Sequence, residues 1–580
     1  MSRSIASDLD VLNRYIDNQC GGKEVFFGCW SPEKLEVEIG QVPNGMHLER
    51  GENWFAVRNG VNQVDGLLFP RETESDQGAD LVIHRGYLAD AGLHSYSKSE
   101  NIRKYWSGNL RKRHNGMFGA VVINDGEINL KFITDIFGVG PVFYRKVGEE
   151  VFFSSTPSLL SMKEDKMDLM SWALRKKLGH VPGEETLSQG IKKATPAAVT
   201  TFNANGKSVK KWFDYANFPL GEKPVNDDAL DACEASFRKA MEKCRKVEFG
   251  EVRLPLSSGY DSRRIFAHLQ EKSDNFETLT VQMPTAEGED VDGVFAPQMS
   301  KDFGYPNNFF KIPSAKQWHN YDIQRLFSLD AQTDFHTWSV RIFEHYRGQN
   351  ISIYDGLGGD VMGFYGWNFI YNPEQRLSDK IADFLNKECF PSFDDVKVKM
   401  NDLYEQQPSG INRDILSFCL WQSRCGTGIW SQQQALPGQL VFCFYFDLDY
   451  IETMLTYSVK KGTEYNLQRE VLQKFWPKLA SYKGSGDLPD RPKKLGRYNE
   501  LNKTISLRKL IVKTAGKAPY SNDYKKLLTP KSIRLLGFAK YSDILTDRIS
   551  WWARHIVEMV YWWNERPFVI KVKNDKNNDE

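Results

Sequence analysis

What the sequence does without narrows it first. Its eight cysteines, at positions 20, 29, 233, 244, 389, 419, 425 and 443, are scattered, and no two form a CxxC pair. That spacing speaks against a zinc ribbon and a disulfide scaffold, and the cysteines read as reduced, buried thiols. No run of ~18 apolar residues occurs, so no segment reads as a membrane span. The opening residues, MSRSIASDLDVLNRYID, hold no apolar signal core, and the expectation is a cytoplasmic protein. Lysine and arginine number 76 against 75 acidic residues, a net charge of +1. A general nucleic-acid binder would carry a clear basic excess, so no nucleic acid is expected as a partner. No internal repeat is visible, and no glycine-rich phosphate loop ends in GKS or GKT.

What is present is a chain of 580 residues, 41% hydrophobic and 26% charged. That length exceeds one ordinary core and predicts two or three domains. Residues 25 to 160 are strand-rich. "GAVVINDGEINLKFITD" is two apolar runs around Asn124-Asp125-Gly126, and "GPVFYRKVGEEVFFSS" repeats the pattern around Gly148. "TPAAVTTFNANGKSVKKWFDY" adds a hairpin with Asn205-Gly206 at its turn. Together they predict an antiparallel sandwich. The polar stretch "NFPLGEKPVNDD", residues 217–228, reads as a linker. Beyond it helix and strand patterns alternate: "DALDACEASFRKAMEKCRK", then "VRLPL", "ETLTVQM" and "NISIYDGLGGD". Alternation of that kind predicts a parallel sheet. Past residue 370 the pattern is mostly helical, and the charged tail, 571–580, is expected to fray.

The segment "LPLSSGYDSRR", residues 254–264, places Ser257-Ser258-Gly259 at a strand tip and Asp261-Ser262 at a helix start. Ligands of parallel sheets bind beyond the carboxyl ends of the strands. A turn leading into a helix N-terminus offers backbone N–H groups to phosphate oxygens. Gly259 lets backbone approach an anion, Ser257 and Ser262 add hydroxyl donors, and Asp261 could hold magnesium. On these residues alone, a plain strand-to-helix turn with an Asp/Ser cap stands as the alternative.

The wider sequence resembles the asparagine synthetase family. "LSSGYDS" is similar to its SGGxDS pyrophosphate loop, and "YDGLGGDVMGFYG" to its second loop of the form SGEGSDE. "FYFDLDYIETML" resembles its PFxD segment and "LPDRPKK" its late basic RxK segment. In the N-terminal half, "NGMFGAVVIND", "TDIFGVGPVFY", "FFSSTPSLL" and "LSQGIKKATPAAVTTF" follow the family's order. The resemblance runs over residues 25 to 500. It implies an α/β multidomain protein: an N-terminal glutaminase-type (Ntn-hydrolase-like) αββα sandwich, 25–216, and a C-terminal adenine-nucleotide alpha-hydrolase (PP-loop) domain, 229–520. Residues 1–24 and 521–580 would be extensions, the second helical. It further implies that ATP adenylates a carboxylate, that pyrophosphate leaves into the first loop, and that an amine then attacks. Asp261 and Asp360 would hold magnesium. Ser257, Ser258, Gly259 and Ser262, with Gly358 and Gly359, would cradle phosphates. Val281 would contact adenine through its backbone, and Lys493, with Lys483 as rival, would neutralise the departing phosphates. A small-molecule or peptide carboxylate and an amine are the implied partners, and a homodimer is compatible with the family.

Several positions depart from that pattern. Glutamine-hydrolysing members begin at a cysteine whose own amine is its base. Here Met1 is followed by Ser2, and Cys20-Gly21-Gly22 stands too far from Phe27-Gly28. The glutamine-binding segment falls on "LVIHRGY", residues 81–87, and Thr134 replaces an arginine. Loss of glutaminase activity is expected, as in beta-lactam synthetases and lasso peptide cyclases. In the second loop Leu357 stands where asparagine synthetases carry a glutamate, and Val361 replaces the acid after Asp360. Asp355, Tyr365, His336 and Glu344 are replacement bases by position, with an ordinary structural role as the alternative for each. His84-Arg85 reads as an exposed loop pair, and "ISWWARHIVEMVYWWNERPF", 549–568, as a helix packed on the core. The leading expectation is an AMP-forming amide ligase using an amine supplied directly. Asparagine synthetase proper and a catalytically reduced scaffold are the competing readings.

Overall fold

The hairpins of the N-terminal half build two antiparallel sheets. The computed structural model describes residues 4–7, 25–35, 37–39, 42, 46–59, 81–109, 113–124, 128–213, 223–272, 274–282, 291–311, 315–333, 336–359, 436–458, 467–484 and 559–573. The first sheet contains β2 (Phe26–Trp30), β4 (Met46–Arg50), β5 (Trp54–Asn59), β10 (Phe143–Val147), β11 (Glu150–Ser154) and β12 (Lys192–Lys193), in the order β12-β10-β11-β2-β5-β4. The second contains β6 (Leu81–Leu88), β7 (Leu93–His94), β8 (Gly116–Asn124), β9 (Asn129–Thr134), β13 (Ala198–Asn203) and β14 (Gly206–Lys211), in the order β14-β13-β9-β8-β6-β7. All three expected hairpins form. In the last, Asn203 pairs with Gly206, so the two-residue loop is Ala204-Asn205 and Gly206, at φ +108°, opens the second strand.

Phe26, Trp30, Trp54, Ile83, Val121, Phe132 and Phe153 meet between the two sheets. The outer face of the first sheet, with Phe27, Phe55 and Phe152, is covered by Leu159, Leu160 and Val569. The outer face of the second, with Val82, Phe118 and Ala120, is covered by Ile102 and Trp106 of α1 (Ser99–Asn109). Strands covered on both faces read as unbroken apolar runs. This overturns the reading of His84 as an exposed loop residue. It lies in β6, fully buried, its ring against Trp106 and Phe118. Burial drives its pKa down to about 3, so the imidazole is neutral.

The C-terminal half carries a five-stranded parallel sheet: β16 (Glu251–Pro255), β17 (Phe276–Gln282), β18 (Asn307–Lys311), β19 (Ile351–Tyr354) and β20 (Gln439–Phe442), in the order β18-β17-β16-β19-β20. β20 is a strand inside the stretch past residue 370 that reads as mostly helical. A four-residue strand, one glutamine and three apolar residues buried on both sides, gives no period of its own. Among the described residues the longer helices are α2 (Leu169–Leu178), α3 (Asp227–Arg245), α4 (Tyr260–Glu271), α5 (Val291–Asp302), α6 (Ala315–Ser328), α7 (Thr337–His345), α8 (Leu448–Leu455) and α9 (Leu467–Phe475). α4 and α5 are the crossovers from β16 to β17 and from β17 to β18.

Two small sheets complete the frame. β15 (Lys223–Pro224) pairs with β21 (Tyr457–Ser458). β1 (Ser4–Ser7) lies between β3 (Val37–Ile39) and β22 (Ile570–Lys573), so residues 570–573 are paired and not frayed. Residues 559–565 are helical, with Trp562 and Trp563 buried and Trp563 edge-on to Trp172, as the packed-helix reading expects. Among the described residues no helix is long and apolar enough to cross a membrane.

Candidate functional site

Numbered along the chain, the parallel strands run 3-2-1-4-5. The direction of winding reverses between β16 and β19, and a crevice opens beyond their carboxyl ends at such a switch point. A cleft of about 290 Å³ lies there. Ser257 lines it from the loop after β16, Asp261 and Ser262 from the first turn of α4, and Asp355, Gly356 and Leu357 from the loop after β19. Val281 at the end of β17, Asp292, His336, Trp338 and Ile342 line it too, with Pro255 and Leu279 from the strands and Leu256 just after β16. Residues far apart in sequence thus share one cavity because their strands are neighbours.

The first loop is folded on itself. The Ser262 hydroxyl accepts the Ser257 N–H at 3.1 Å and lies 3.0 Å from the Ser257 hydroxyl, which accepts the Gly259 N–H at 3.1 Å. Gly259 is the N-cap of α4 and brings no side-chain cap to its first turn. That leaves the helix start shaped for an outside anion. Ser258 is turned away: it is fully buried, and its N–H and hydroxyl both donate to Asp292, at 2.7 and 2.6 Å. Asp292 lines the cleft and has no signal in the sequence. It stands in the first turn of α5 behind "PTAEGED", a stretch without a recognisable pattern. Arg263, fully buried, ties the Ser258 carbonyl (2.6 Å) to those of Tyr482 (2.7 Å) and Lys483 (2.9 Å).

The second loop is pressed against the first. A Cβ on Gly356 would come within 3.0 Å of the Ser262 nitrogen, and one on Gly359 would collide with the Asp261 carboxylate. Gly358, at φ +88°, lies against the Phe446 ring where a Cβ would also collide. These glycines are what the close approach of two backbones requires. Gln468 of α9 donates to the Gly359 carbonyl at 3.2 Å and accepts from Arg264 at 2.7 Å. Asp360 follows Gly359 in sequence but lies outside the described residues, as do Lys493 and Tyr365. Lys483 is described and exposed.

Of the replacement bases, Asp355 and His336 line the cleft, whereas Glu344 accepts from Gln324 at 2.7 Å. Asp355 is 5% exposed, and its carboxylate accepts the Leu357 N–H at 3.1 Å. Burial pushes it up to about 7, with that N–H pulling the other way. His336 sits at φ +61° as the N-cap of α7, a conformation that costs a non-glycine residue of order 1 kcal/mol. The described wall holds three carboxylates and neither lysine nor arginine.

Against known proteins, residues 94–213 match the model of the glutamine amidotransferase domain. A glutamine-hydrolysing asparagine synthetase of Bacillus subtilis (strain 168) is 25% identical over 276 residues, 45% of this chain and 39% of the relative. Over that stretch the chain is similar to an asparagine synthetase. Its match spans well under half of that relative's length. Among solved structures, the glutamine phosphoribosylpyrophosphate amidotransferase of B. subtilis, complexed with ADP and GMP, covers 62% of this chain and 76% of its own at 12% identity and a TM-score of 0.21. The allosteric regulatory enzyme of purine biosynthesis gives 10% identity, 53% and 79% coverage and the same score. At that score neither likeness carries weight.

In the N-terminal half, Asp135 organises the turn after β9. It is fully buried and accepts N–H groups from Phe118, Phe137, Val139 and Gly140, at 2.9 to 3.1 Å. The neighbouring Thr134, where the family carries arginine, donates to the Thr195 carbonyl at 2.6 Å. The cysteine of β2, Cys29, is buried, and burial pushes its thiol far above the ordinary range. A thiol held neutral is a poor nucleophile. Cys20 lies outside the described residues.

Proposed function

We propose that this chain is an ATP-dependent, AMP-forming ligase that adenylates a carboxylate and joins it to an amine supplied directly, without glutamine hydrolysis. One observation carries the reading: the cleft at the switch point joins the Ser257–Ser262 loop to the Asp355–Gly359 loop. In the first half-reaction a carboxylate oxygen attacks the α-phosphorus and the bond to the β-phosphate breaks. Ser257, Gly259 and Ser262 receive the leaving pyrophosphate. In the second, the amine nitrogen attacks the acyl carbon, AMP departs, and the nitrogen gives up a proton. Asp355 is the carboxylate placed to take that proton, two residues from the apolar Leu357.

The wall of three carboxylates repels a triphosphate, so the chemistry fits a divalent cation. Asp261 would hold magnesium together with Asp360, and the metal would neutralise charge on the phosphates. Among the described residues no cluster of three or more His, Cys, Asp or Glu is assembled for a metal alone. Shared ligation by two acids and the substrate's own phosphates is the usual way magnesium is held. Thr134 and the "LVIHRGY" segment, which depart from the family's pattern, support an amine that does not come from glutamine.

With a suitable carboxylate, purified protein should convert ATP to AMP and pyrophosphate in a magnesium-dependent way. Asp261→Asn should lower the rate at least about a hundredfold, ~3 kcal/mol of transition-state stabilisation. ADP and free phosphate as products would sink the reading. Asparagine formed from aspartate and ammonia would identify asparagine synthetase proper.

A further inference from the structure

The N-terminal half reaches both ligand loops through one short turn. Phe444–Phe446 is a single 3₁₀ turn after β20, wholly buried, and the next residue, Asp447, caps α8. From the first half, the Phe137 ring stands 4.5 Å from that of Phe446. Asn115 clamps Asp447 and Leu448, just beyond the turn: its amide donates to Asp447 at 2.6 Å and its carbonyl accepts the Leu448 N–H at 3.1 Å. Toward the cleft, the Tyr445 hydroxyl donates to the Asp261 carbonyl at 2.9 Å, while the Phe446 ring fills the space beside Gly358. Phe137 is itself fixed, because Asp135 binds its N–H and those of the turn around it.

We propose that the N-terminal half sets the nucleotide affinity of the cleft through this turn, with Asn115 and Phe137 as positioning residues that hold Tyr445 and Phe446 against the two loops. The inference rests on the ATP reading of the cleft and adds a role for the other half. Its physical basis is the short range of packing forces. A gap of about 1 Å on one side of a ring forfeits a large part of the contact, and a close-packed interior passes the shift on. Gly358 has no side chain to anchor its own loop, so the Phe446 ring is its wall. If the ring drops into a space left by Phe137, the loop loses its seat on Asp261, and the phosphate-binding surface opens.

The test is calorimetric titration of the full chain with magnesium and ATP, without a carboxylate substrate. Phe137→Ala should weaken ATP binding by about tenfold, and Phe137→Leu should restore most of it. Tyr445→Phe removes one hydroxyl and no ring volume, and should weaken binding about three- to tenfold. Phe132→Ala opens a comparable hole between the sandwich sheets, away from the turn. It should lower the melting temperature and leave ATP affinity unchanged. Affinities of folded Phe137→Ala and Tyr445→Phe within about twofold of wild type would overturn the inference. So would a loss in Phe132→Ala equal to that in Phe137→Ala, which traces the effect to general loosening. Should Phe137→Ala not fold, Tyr445→Phe and Asn115→Ala decide. A wild type that binds no ATP would sink the ligase reading, and this inference with it.

Discussion

Asp355 shows how a single side chain couples the cleft to pH. Its carboxyl is pushed up to about 7 by burial, against ~3.9 for an aspartate in an unfolded chain. Between those values the folded protein holds a proton that the unfolded chain has lost. Stability therefore falls as pH rises through that window, by up to ~1.4 kcal/mol per pH unit. Asp355→Asn keeps the shape and removes the titration. It should raise stability at about pH 8 by ~1–3 kcal/mol and change little near pH 4. Thermal melts of wild type and variant across that range measure it. Parallel pH profiles would show that Asp355 ionises as if exposed. The same substitution should impair amide formation more than pyrophosphate release, because only the second step needs the proton removed.

At the scale of an element, the turn after β9 depends on one carboxylate. Asp135 serves four buried N–H groups, and it is the one carboxylate in "TDIFGVG". Leaving buried donors without an acceptor costs about 1–3 kcal/mol each, less than additively when a turn can relax. Asp135→Ala should therefore destabilise the protein by about 3–5 kcal/mol, read as a lower midpoint in denaturant. A loss below ~1 kcal/mol would mean the turn is held by packing alone. Glycines at this approach act with it: a Cβ on Gly119 of β8 or on Gly140 of the turn would meet the backbone of the other segment.

Across the whole molecule, the two halves share one core. A single apolar cluster joins Tyr87, Met117 and Phe137 to Leu254, Tyr354, Phe442 and Phe446. Polar ties cross the same junction, from Asn115 to Asp447 and from Arg113 to Glu452. Halves that expose such a surface on separation are not expected to melt independently. Differential scanning calorimetry should show one cooperative transition, with calorimetric and van't Hoff enthalpies close to each other. Two resolved transitions would show that the junction is weaker than its packing.

The sequence by itself determined the local features. Hairpins at Gly148 and around Asn205, the strands "VRLPL" and "ETLTVQM", and a serine–glycine–aspartate turn at a strand tip all declare themselves within a dozen residues. Periodicity and turn chemistry are properties of neighbours along the chain. The cleft's membership was legible only in part, through Ser257, Asp261, Ser262, Val281, His336, Asp355 and Leu357. Tertiary structure decided the rest. Ser258 faces Asp292, 34 positions away, Tyr445 reaches Asp261 across 184, and Asn115 clamps Asp447 across 332. His84 is buried because a helix covers its strand, and Leu440 and Val441 form a strand because β19 lies beside them. Such partners are chosen by strand order and by the shape of the space between packed elements. No local pattern encodes that geometry, because it exists only once the chain has folded back on itself.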